Sequence, residues 1–308
     1  MNDFNINVVD LNILKVFEAL FEEGSATRAA VRLGLTQSAV SAALGRLRRV
    51  YGDQLFTRTG RGLAATLRAH ELKPLISEGL NKCRQSLAMG QDQSKAYDGR
   101  LITIGLSDDF ELVFGRPLID AVAATAPGLR LAFRQAHSHI VRDMLQSRAV
   151  DIAVVAGGLS SRAVSRETVG EGHYACLVDP AQTPVAHGPF NLEAFLQRDH
   201  ILISSAGFVG LVDELLAAMG RQRRVVASTS HFSAIPHLLR GSAAVATVPR
   251  HAAAAIAAQT GLQMWLCPIE MPRYAVELGW RTDALRDAAV MEVRRMLAQV
   301  LGAYPWDA

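Results

Sequence analysis

Two glycines divide residues 10–50 into three short segments, each with the apolar spacing of a helix. The first segment, Asp10–Phe21, carries leucines and phenylalanines about three or four residues apart. Gly24 ends it, Ser25 can cap a second helix, and Gly34 ends the second. Small alanines in the second segment allow another helix to approach closely. These start and stop signals predict a set of short helices packed on one another.

A third helix is predicted from Thr36 to about Val50, with Val40, Leu44 and Leu47 as its buried stripe. Two short helices joined by a tight turn that contains glycine form a helix-turn-helix motif. In that motif the second helix enters the major groove and presents its N-terminal residues to base edges. The pattern predicts DNA binding, and the alternative is an ordinary solvated helix.

The outward face of this third helix is polar or small. Glutamine can form paired hydrogen bonds with adenine, and serine can contact bases or phosphates. Arginines further along the helix suit phosphate contacts. The predicted DNA-contacting residues of this helix are Gln37, Ser38, Ser41, Ala42, Arg46, Arg48 and Arg49.

A short hairpin is predicted next, with strands Leu55–Arg58 and Leu63–Thr66 around a glycine-rich turn. It forms a wing, with Arg58 and Arg61 placed for the phosphate backbone or the minor groove. Residues 24–68 contain eight arginines and a single acid, although the whole chain has a net charge of only +3. A short basic block on a nearly neutral protein is typical of nucleic-acid binding.

Residues 67–89 return to a helical pattern, in which Pro74 predicts a kink. An amphipathic helix outside a compact domain is usually an interface, so a dimerisation helix is predicted. Its apolar residues are Leu72, Leu75, Ile76, Leu80 and Leu87. Residues 90–99 are polar and flanked by glycine, which predicts a hinge.

Residues 10–89 together resemble the DNA-binding domain of LysR-type transcriptional regulators. The resemblance lies in Ala29-Ala30, Leu33, Leu35–Ser41, Leu47-Arg48 and Leu55–Arg58. It implies that Gln37, Ser38 and Ser41 contact bases and backbone, and that Arg58 is the basic residue of the wing. The chain departs from the family pattern at Ala42, where a polar residue is common, and at Ala65, where proline is common.

From residue 100 the chain alternates strands and helices, which predicts a parallel sheet with helices on both faces. The resemblance implies a two-lobed α/β effector domain of the type 2 periplasmic-binding-protein fold. Segments Gly210–Leu216 and Ala246–Pro249 resemble the subgroup of nodulation and aromatic-catabolism regulators. The predicted domains are a winged helix-turn-helix (1–66), the linker helix (67–89), the hinge (90–99) and the effector domain (100–308), with lobe I at 100–165 and 268–308 and lobe II at 166–267.

Open α/β sheets bind ligands at the carboxyl ends of strands, near helix N-termini. Serines and helix N–H groups there favour a carboxylate, and phenylalanines can flank an aromatic ring. The predicted effector contacts are Ser107, His137, Ser138, Ser204, Ser205, Phe208, Phe232 and Thr247. The alternatives are plain helix capping for each serine and core packing for Phe232. A small organic acid, aromatic acids included, is the expected effector.

Enzymatic function is disfavoured, because the sequence lacks a G-x-S-x-G elbow, a phosphate-binding loop and a dinucleotide fingerprint after its first α/β strand. His137 and His139 have no third ligand nearby, so no metal or cofactor is expected. Cys83, Cys176 and Cys267 are far apart in sequence and lack zinc spacing. Reduced thiols are the favoured interpretation, and a redox-sensing regulator of the same family is the alternative.

The N-terminus does not resemble a signal peptide, and no apolar run is long enough for a membrane helix. A cytoplasmic protein without a membrane partner is therefore expected. The resemblance implies a homodimer through residues 67–89, extended to a tetramer by the effector domains, on an inverted repeat of double-stranded DNA. It also implies that the effector changes DNA bending and contact with RNA polymerase.

Overall fold

The computed structural model describes residues 10–60, 62–88, 97, 99–138, 140–159, 161, 163–182, 190–204 and 207–306. The predictions for Arg61, Ser205, His139 and most of the hinge concern residues outside this description. The chain divides into two compact units, Met1–Ala96 and Tyr97–Ala308. Each unit has a hydrophobic core of its own.

The N-terminal unit begins with helices α1 (Asn12–Glu23), α2 (Ala26–Leu33) and α3 (Gln37–Tyr51). The hydroxyl of Ser25 accepts the backbone N–H of Arg28 and caps α2, as predicted. The hydroxyl of Thr36 caps α3 in the same way, through the N–H of Ala39. These caps satisfy N–H groups that the first turn of a helix leaves without partners, so the starts of both helices are encoded locally.

The buried face of α1 is broader than its leucine spacing predicts. Leu11 is 51% exposed, whereas Ile13 and Val16 are buried together with Phe17 and Leu20. The reason is that α1 is covered by α2 and α3 and also by a later helix, residues 67–88. A helix that packs against several neighbours buries a wider arc than a single stripe.

The wing consists of the antiparallel strands β1 (Phe56–Thr59) and β2 (Gly62–Ala65). It is attached to the turn between α1 and α2, because the N–H of Leu63 donates to the carbonyl of Gly24 at 2.8 Å. Gly62 has φ +137°, and a Cβ there would lie 2.5 Å from that same carbonyl oxygen. Only glycine fits this contact without moving the wing.

Helix α4 (Leu67–Ala88) follows the wing and continues through Pro74. Its predicted apolar stripe is divided in two. One side is buried in the core of its own unit, through Leu72, Ile76 and Leu80. The leucines at positions 67, 75 and 87 are exposed: Leu67 and Leu75 lie on other sides of the helix, whereas Leu87 lies on the same side as Ile76 and Leu80 but further along α4. The first set therefore fixes α4 to α1, and only the second set is available to a partner.

The junction between the wing and α4 is held by the carboxylate of Asp53. It accepts the hydroxyl of Thr66 at 2.8 Å and the N–H of Leu55 at 2.6 Å. Thr66 in turn caps α4 by accepting the N–H of Ala69. The chain thus fixes this junction with side-chain hydrogen bonds, although Ala65 stands where the family often has proline.

The C-terminal unit alternates strands and helices. Its strands are β3 (Leu101–Leu106), β4 (Arg130–Gln135), β5 (Ile152–Ala156), β6 (Val164–Gly172), β7 (Tyr174–Val178), β8 (Asp199–Ile203), β9 (Arg224–Thr229), β10 (Val245–Pro249), β11 (Gln263–Leu266) and β12 (Tyr274–Arg281). Its helices are α5 (Asp108–Thr125), α6 (Val141–Gln146), α7 (Leu192–Leu196), α8 (Leu211–Ala218), α9 (Ile235–Leu239), α10 (Arg250–Thr260) and α11 (Ala288–Gly302).

Two five-stranded sheets define the two lobes of this unit. The sheet of lobe I has the order β4-β3-β5-β12-β6, and that of lobe II has the order β11-β7-β10-β8-β9. Strands β3, β4 and β5 are parallel, but β12 is antiparallel to both of its neighbours. The sheets are therefore mixed rather than wholly parallel, because the chain crosses between lobes and returns in the opposite direction.

The chain changes lobes after β6 and again between β11 and β12. Strand β6 pairs with β12 from Val164 to Gly172, so these residues lie in lobe I. The first crossing is consequently at His173, later than the boundary at 165/166 that the sequence suggests. Among the described residues, no helix is both long and apolar enough to span a bilayer.

Candidate DNA-binding surface and effector cleft

One face of α3 is polar and exposed because the opposite stripe is buried. Val40, Ala43, Leu44 and Leu47 point into the core of the N-terminal unit. The positions between them therefore point outward. The exposed residues, here called the recognition face, are Gln37, Ser38, Ser41, Ala42, Gly45, Arg46 and Arg49. This face brings together the predicted base-contacting residues and two of the predicted phosphate-contacting arginines.

Arg48 has a different role from the phosphate contact predicted for it. Its guanidinium is half-buried and donates to the carbonyl oxygens of Gln54 at 2.9 Å and Phe56 at 2.8 Å. These bonds fasten the start of the wing to α3. The sequence reveals the charge of Arg48 but not the direction of its side chain. That direction depends on where the wing packs against α3.

Fewer arginines of the basic block are available to a partner in the folded unit than the sequence suggests, because several have partners within the unit. Arg32 pairs with Glu22 of α1, and Arg28 donates to the backbone carbonyl of Glu23. Arg46 is exposed and lies 3.5 Å from Asp10. The Asn12 N–H chiefly, and also the charge of Arg46, lower the pKa of the Asp10 carboxyl.

Arg58 supplies the positive charge of the described part of the wing. It is exposed on β1, opposite Leu63 of β2. Arg46, Arg49 and Arg58 are thus the exposed arginines that the prediction and the structure share.

The two lobes of the C-terminal unit, here called the effector unit, meet near the ends of their parallel strands. The carboxyl ends of the parallel strands β3, β4 and β5 share one edge of the lobe I sheet, and those of β8, β9 and β10 share one edge of the lobe II sheet. These edges face each other, because the Asp108 carboxylate after β3 accepts the N–H and the hydroxyl of Ser233 after β9, both at 3.0 Å. The region between them is here called the interlobe cleft.

Most of the predicted effector residues in the described chain lie at these two edges. Ser107 follows β3, and His137 and Ser138 follow β4, with Ser138 exposed. On the other side, Ser204 follows β8 and its N–H donates to the carbonyl of Thr229. Phe208, further along the same loop, is 60% exposed.

Two predicted effector residues are placed differently. Thr247 lies inside β10 rather than at its end, directly opposite Cys176 of β7, and its hydroxyl is 3.7 Å from that sulfur. Phe232 is half-buried and packs against the core of lobe II. Phe232 therefore contributes to core packing, which was the alternative to an effector contact.

A buried polar cluster also joins the two lobes, and the sequence did not reveal it. His251 of lobe II is buried, with its Nε2 3.2 Å from the Asp109 carboxylate of lobe I. The imidazole stacks on Phe110 at 4.8 Å between centroids. Its Nδ1 lies 3.4 Å from the hydroxyl of Tyr274, whose pKa is raised by burial and by the nearby Asp109.

The N-terminus of α5 already carries carboxylates of the chain itself. Asp108, Asp109 and Glu111 lie in its first turn, and the hydroxyl of Ser107 donates to Asp109. These acids offset the positive end of the helix dipole. An effector carboxylate is therefore disfavoured beside Ser107, contrary to the expectation for a serine at a helix start. Within the described ranges, no group of acidic, histidine or cysteine side chains could hold a metal ion.

Comparisons with known proteins agree with this architecture. The model of the LysR substrate binding domain matches residues 96–302, and that of the bacterial regulatory helix-turn-helix protein, lysR family, matches residues 11–70. The HTH-type transcriptional activator NahR of Pseudomonas putida is 30% identical over 291 residues, which cover 94% of this chain and 96% of NahR. Nodulation protein D 3 of Mesorhizobium japonicum is 28% identical, with 94% and 97% of the two chains covered.

Among solved structures, the probable transcriptional regulator PA0477 from Pseudomonas aeruginosa superposes with a TM-score of 0.74 at 26% identity. The match covers 94% of this chain and 97% of PA0477. NahR and PA0477 are named as transcriptional regulators rather than as enzymes. Their match over nearly the full length shows that the order of the two units is shared.

Proposed function

The chain belongs to the LysR family of bacterial transcriptional regulators, and from that premise we propose how it reads DNA and senses its effector. The recognition face of α3 enters the major groove, with Gln37, Ser38 and Ser41 at the base edges. Arg46, Arg49 and Arg58 bind the phosphates on either side. The observation that carries this proposal is the division of α3 into a fully buried apolar stripe and an exposed polar face with arginines beside it.

The DNA proposal is tested by electrophoretic shift and anisotropy titrations on the operator and on scrambled DNA. Gln37→Ala is expected to cost about 1–3 kcal/mol on the operator and little on scrambled DNA. Arg58→Ala is expected to weaken binding to the operator and to scrambled DNA alike. It should also reduce the slope of log affinity against log salt concentration by about 1. Arg116→Ala, which removes an arginine whose side chain is 80% exposed in the effector unit, is the control. Full affinity and selectivity in Gln37→Ala would refute the assignment.

The partner is proposed to be a second copy of this chain, bound through α4. Leu67, Leu75 and Leu87 stay exposed although Leu72, Ile76 and Leu80 are buried, and exposed leucines along one helix favour a helix–helix interface. A dimer would present two recognition faces to the two halves of an inverted repeat.

The α4 interface is tested by sedimentation of Leu75→Asp, which is expected to lower the association state and, with it, operator affinity. Leu285→Asp adds the same charge at an exposed leucine of the effector unit and is the control. An unchanged association state in Leu75→Asp would exclude α4 as the dimer contact. In the proposed assembly, contacts between effector domains extend the α4 dimer to a tetramer.

The effector is proposed to be a small organic acid with an aromatic ring, bound in the interlobe cleft. Phe208 offers an exposed ring at one edge, and Ser138 offers an exposed hydroxyl at the other. Because α5 begins with three acids, the carboxylate would face the loops after β4 and β8 instead. Preferential binding to one lobe arrangement would alter DNA bending and polymerase contact, in the direction of activation suggested by the name of NahR.

The effector proposal is tested by thermal shift with benzoate, benzamide and cyclohexanecarboxylate. Benzoate is expected to raise the melting temperature most, since a ligand of the native state stabilises it. Benzamide tests the charge, and cyclohexanecarboxylate tests the ring. Phe208→Ala is expected to abolish the difference between benzoate and cyclohexanecarboxylate. Equal shifts with all three compounds would contradict the proposed ligand class while leaving DNA recognition untouched.

A further inference from the structure

Two thiols that are far apart in the sequence meet on one face of the lobe II sheet. Cys176 lies in β7, directly opposite Trp265 of β11. Cys267 follows Trp265 by two positions, so its side chain is directed to the same side. Cys267 packs against the apolar cluster that contains Cys176, and the two thiols are close enough for hydrogen bonding between them to shift both pKa values. This contact depends on strand pairing, so the spacing of the cysteines conceals it.

The two thiols have different surroundings. Cys176 is completely buried, whereas Cys267 is partly exposed. The hydrogen bond between them raises the pKa of Cys176 well above its usual value, and burial adds to this effect. The same hydrogen bond lowers the pKa of Cys267 against the opposing effect of burial, helped by the N–H of Ile269 and the charge of Arg223. The more accessible of the two thiols is therefore also the one whose pKa is lowered, and the thiolate is the form that oxidants attack.

We propose that Cys267 and Cys176 form a reversible oxidation site, in which a hydroperoxide oxidises Cys267 and Cys176 then closes a disulfide with it. This goes beyond the proposed sensing of an organic acid. It gives the regulator a second, chemically independent input.

The reaction balances with one hydroperoxide. The Cys267 thiolate attacks the terminal peroxide oxygen, the O–O bond breaks, and the leaving oxygen takes a proton to become water or an alcohol. Cys267 is then a sulfenic acid. The Cys176 sulfur attacks the Cys267 sulfur and loses its proton, the S–O bond breaks, and water leaves. Both thiols are oxidised to one disulfide, and the peroxide is reduced.

The bond would act on a segment that connects the lobes. Cys267 begins the stretch between β11 and β12, residues 267–273, by which the chain returns to lobe I. A disulfide would tie the start of this crossing to β7, the second strand of the lobe II sheet. Oxidation is thereby expected to restrict the relative movement of the lobes.

The test uses the full chain carrying Cys83→Ser, which removes the exposed third thiol in the other unit. The protein is treated with hydrogen peroxide, denatured, alkylated and digested for mass spectrometry. We expect Cys176 and Cys267 to become protected from alkylation together, in one linked peptide pair, and to be released by dithiothreitol. Two alkylated thiols after treatment, or a sulfinic acid at Cys267 beside an alkylated Cys176, would overturn the proposal.

Single variants in the same background test the order of events. Cys176→Ala should leave a sulfenic acid at Cys267 that dimedone traps, and Cys267→Ala should leave Cys176 reduced. Oxidation of Cys176 in the Cys267→Ala variant would reverse the assigned roles and overturn this mechanism. If Cys176→Ala fails to fold, the linked peptide pair still tests the disulfide, and the Cys267→Ala variant still tests which thiol is oxidised first. The readout is a mass, so it is independent of DNA binding and of the organic effector.

Discussion

The DNA-binding surface and the effector unit place their polar groups in opposite ways. On α3 the groups assigned to DNA, such as Gln37 and Arg49, are exposed, and their charge is available to an outside partner. In the effector unit several ionisable groups are buried and face one another, as Asp109 and His251 do between the lobes. Exposed polar groups keep their contact with water, so they cost the fold little free energy, and they remain available to an outside ligand. Buried groups must be paired inside the chain, because the loss of one partner leaves the other uncompensated and destabilises the fold.

A second buried group, within lobe II, shows what such pairing requires. The Arg223 side chain is 1% exposed and donates to both oxygens of Asp213 at 2.8 Å. Although burial opposes it, these bonds hold the pKa of the Asp213 carboxyl below its usual value. The remaining guanidinium nitrogen lies 3.3 Å from Nδ1 of His200. Each of the three guanidinium nitrogens thus has a partner inside the lobe.

The largest expected effect tests this contrast directly. Arg223→Ala leaves the Asp213 carboxylate without its partner and should lower the free energy of unfolding of the effector unit by about 3–5 kcal/mol. All three tryptophans, Trp265, Trp280 and Trp306, lie in that unit, so their fluorescence during denaturation reports on it alone.

The adjacent Arg224 is the matched control. Its side chain is 74% exposed and pairs with Asp199, so Arg224→Ala should change the unfolding free energy by only about 0–1 kcal/mol. Similar losses in the two variants would show that burial does not distinguish these arginines.

The next effect is a pH dependence from His200. Burial chiefly, and then the charge of Arg223, lower the pKa of its imidazole to about 4, although Asp199 and Asp213 act in the opposite direction. The neutral ring donates from Nε2 to the Phe195 carbonyl at 2.9 Å and accepts from Arg223 at Nδ1. Protonation would place a positive charge against Arg223.

Because the unfolded chain takes up the His200 proton at a pKa near 6.5 and the folded chain only near 4, stability is full above the unfolded pKa. It should fall as pH decreases from about 6.5 to 4, by up to about 3 kcal/mol. Urea titrations followed by tryptophan fluorescence across this range measure the loss. His200→Gln should be less stable at pH 7 and should lack this slope, and an unchanged slope would exclude His200 as its source.

A smaller effect is expected at the start of the recognition helix. Thr36→Ala removes the hydroxyl that caps α3 and should cost about 1 kcal/mol. Hydrogen exchange of the first-turn amides of α3 should accelerate accordingly. Thr27→Ala removes an exposed threonine inside α2 and should not destabilise that helix. Equal acceleration in the two variants would remove the capping role from Thr36.

The smallest effect is expected for an exposed ion pair in the N-terminal unit. Arg68 and Glu71 of α4 are both more than half exposed and lie 3.0 Å apart. Glu71→Gln should change stability by no more than about 0.5 kcal/mol in thermal denaturation followed by circular dichroism. A loss approaching that of Arg223→Ala would break the contrast between the two units.

The elements of the N-terminal unit could be predicted because their signals are local. Ser25, Gly24 and the Val40–Leu47 stripe act within a few residues, so caps, helix ends and the buried side of α3 follow from spacing alone. The role of Arg48 could not be predicted, because its acceptors are backbone carbonyls whose position depends on the wing. The division of the α4 leucines required α1 to be in place.

For the effector unit, the sequence by itself determined the alternation of strands and helices and the loops that form the cleft edges. Only the tertiary structure decided that β6 joins lobe I, that Asp109 meets His251, and that Cys176 meets Cys267. The physical reason is the range of the interactions. Periodicity and capping are satisfied within one element, whereas strand pairing and buried charge pairs join residues whose separation along the chain carries no signal.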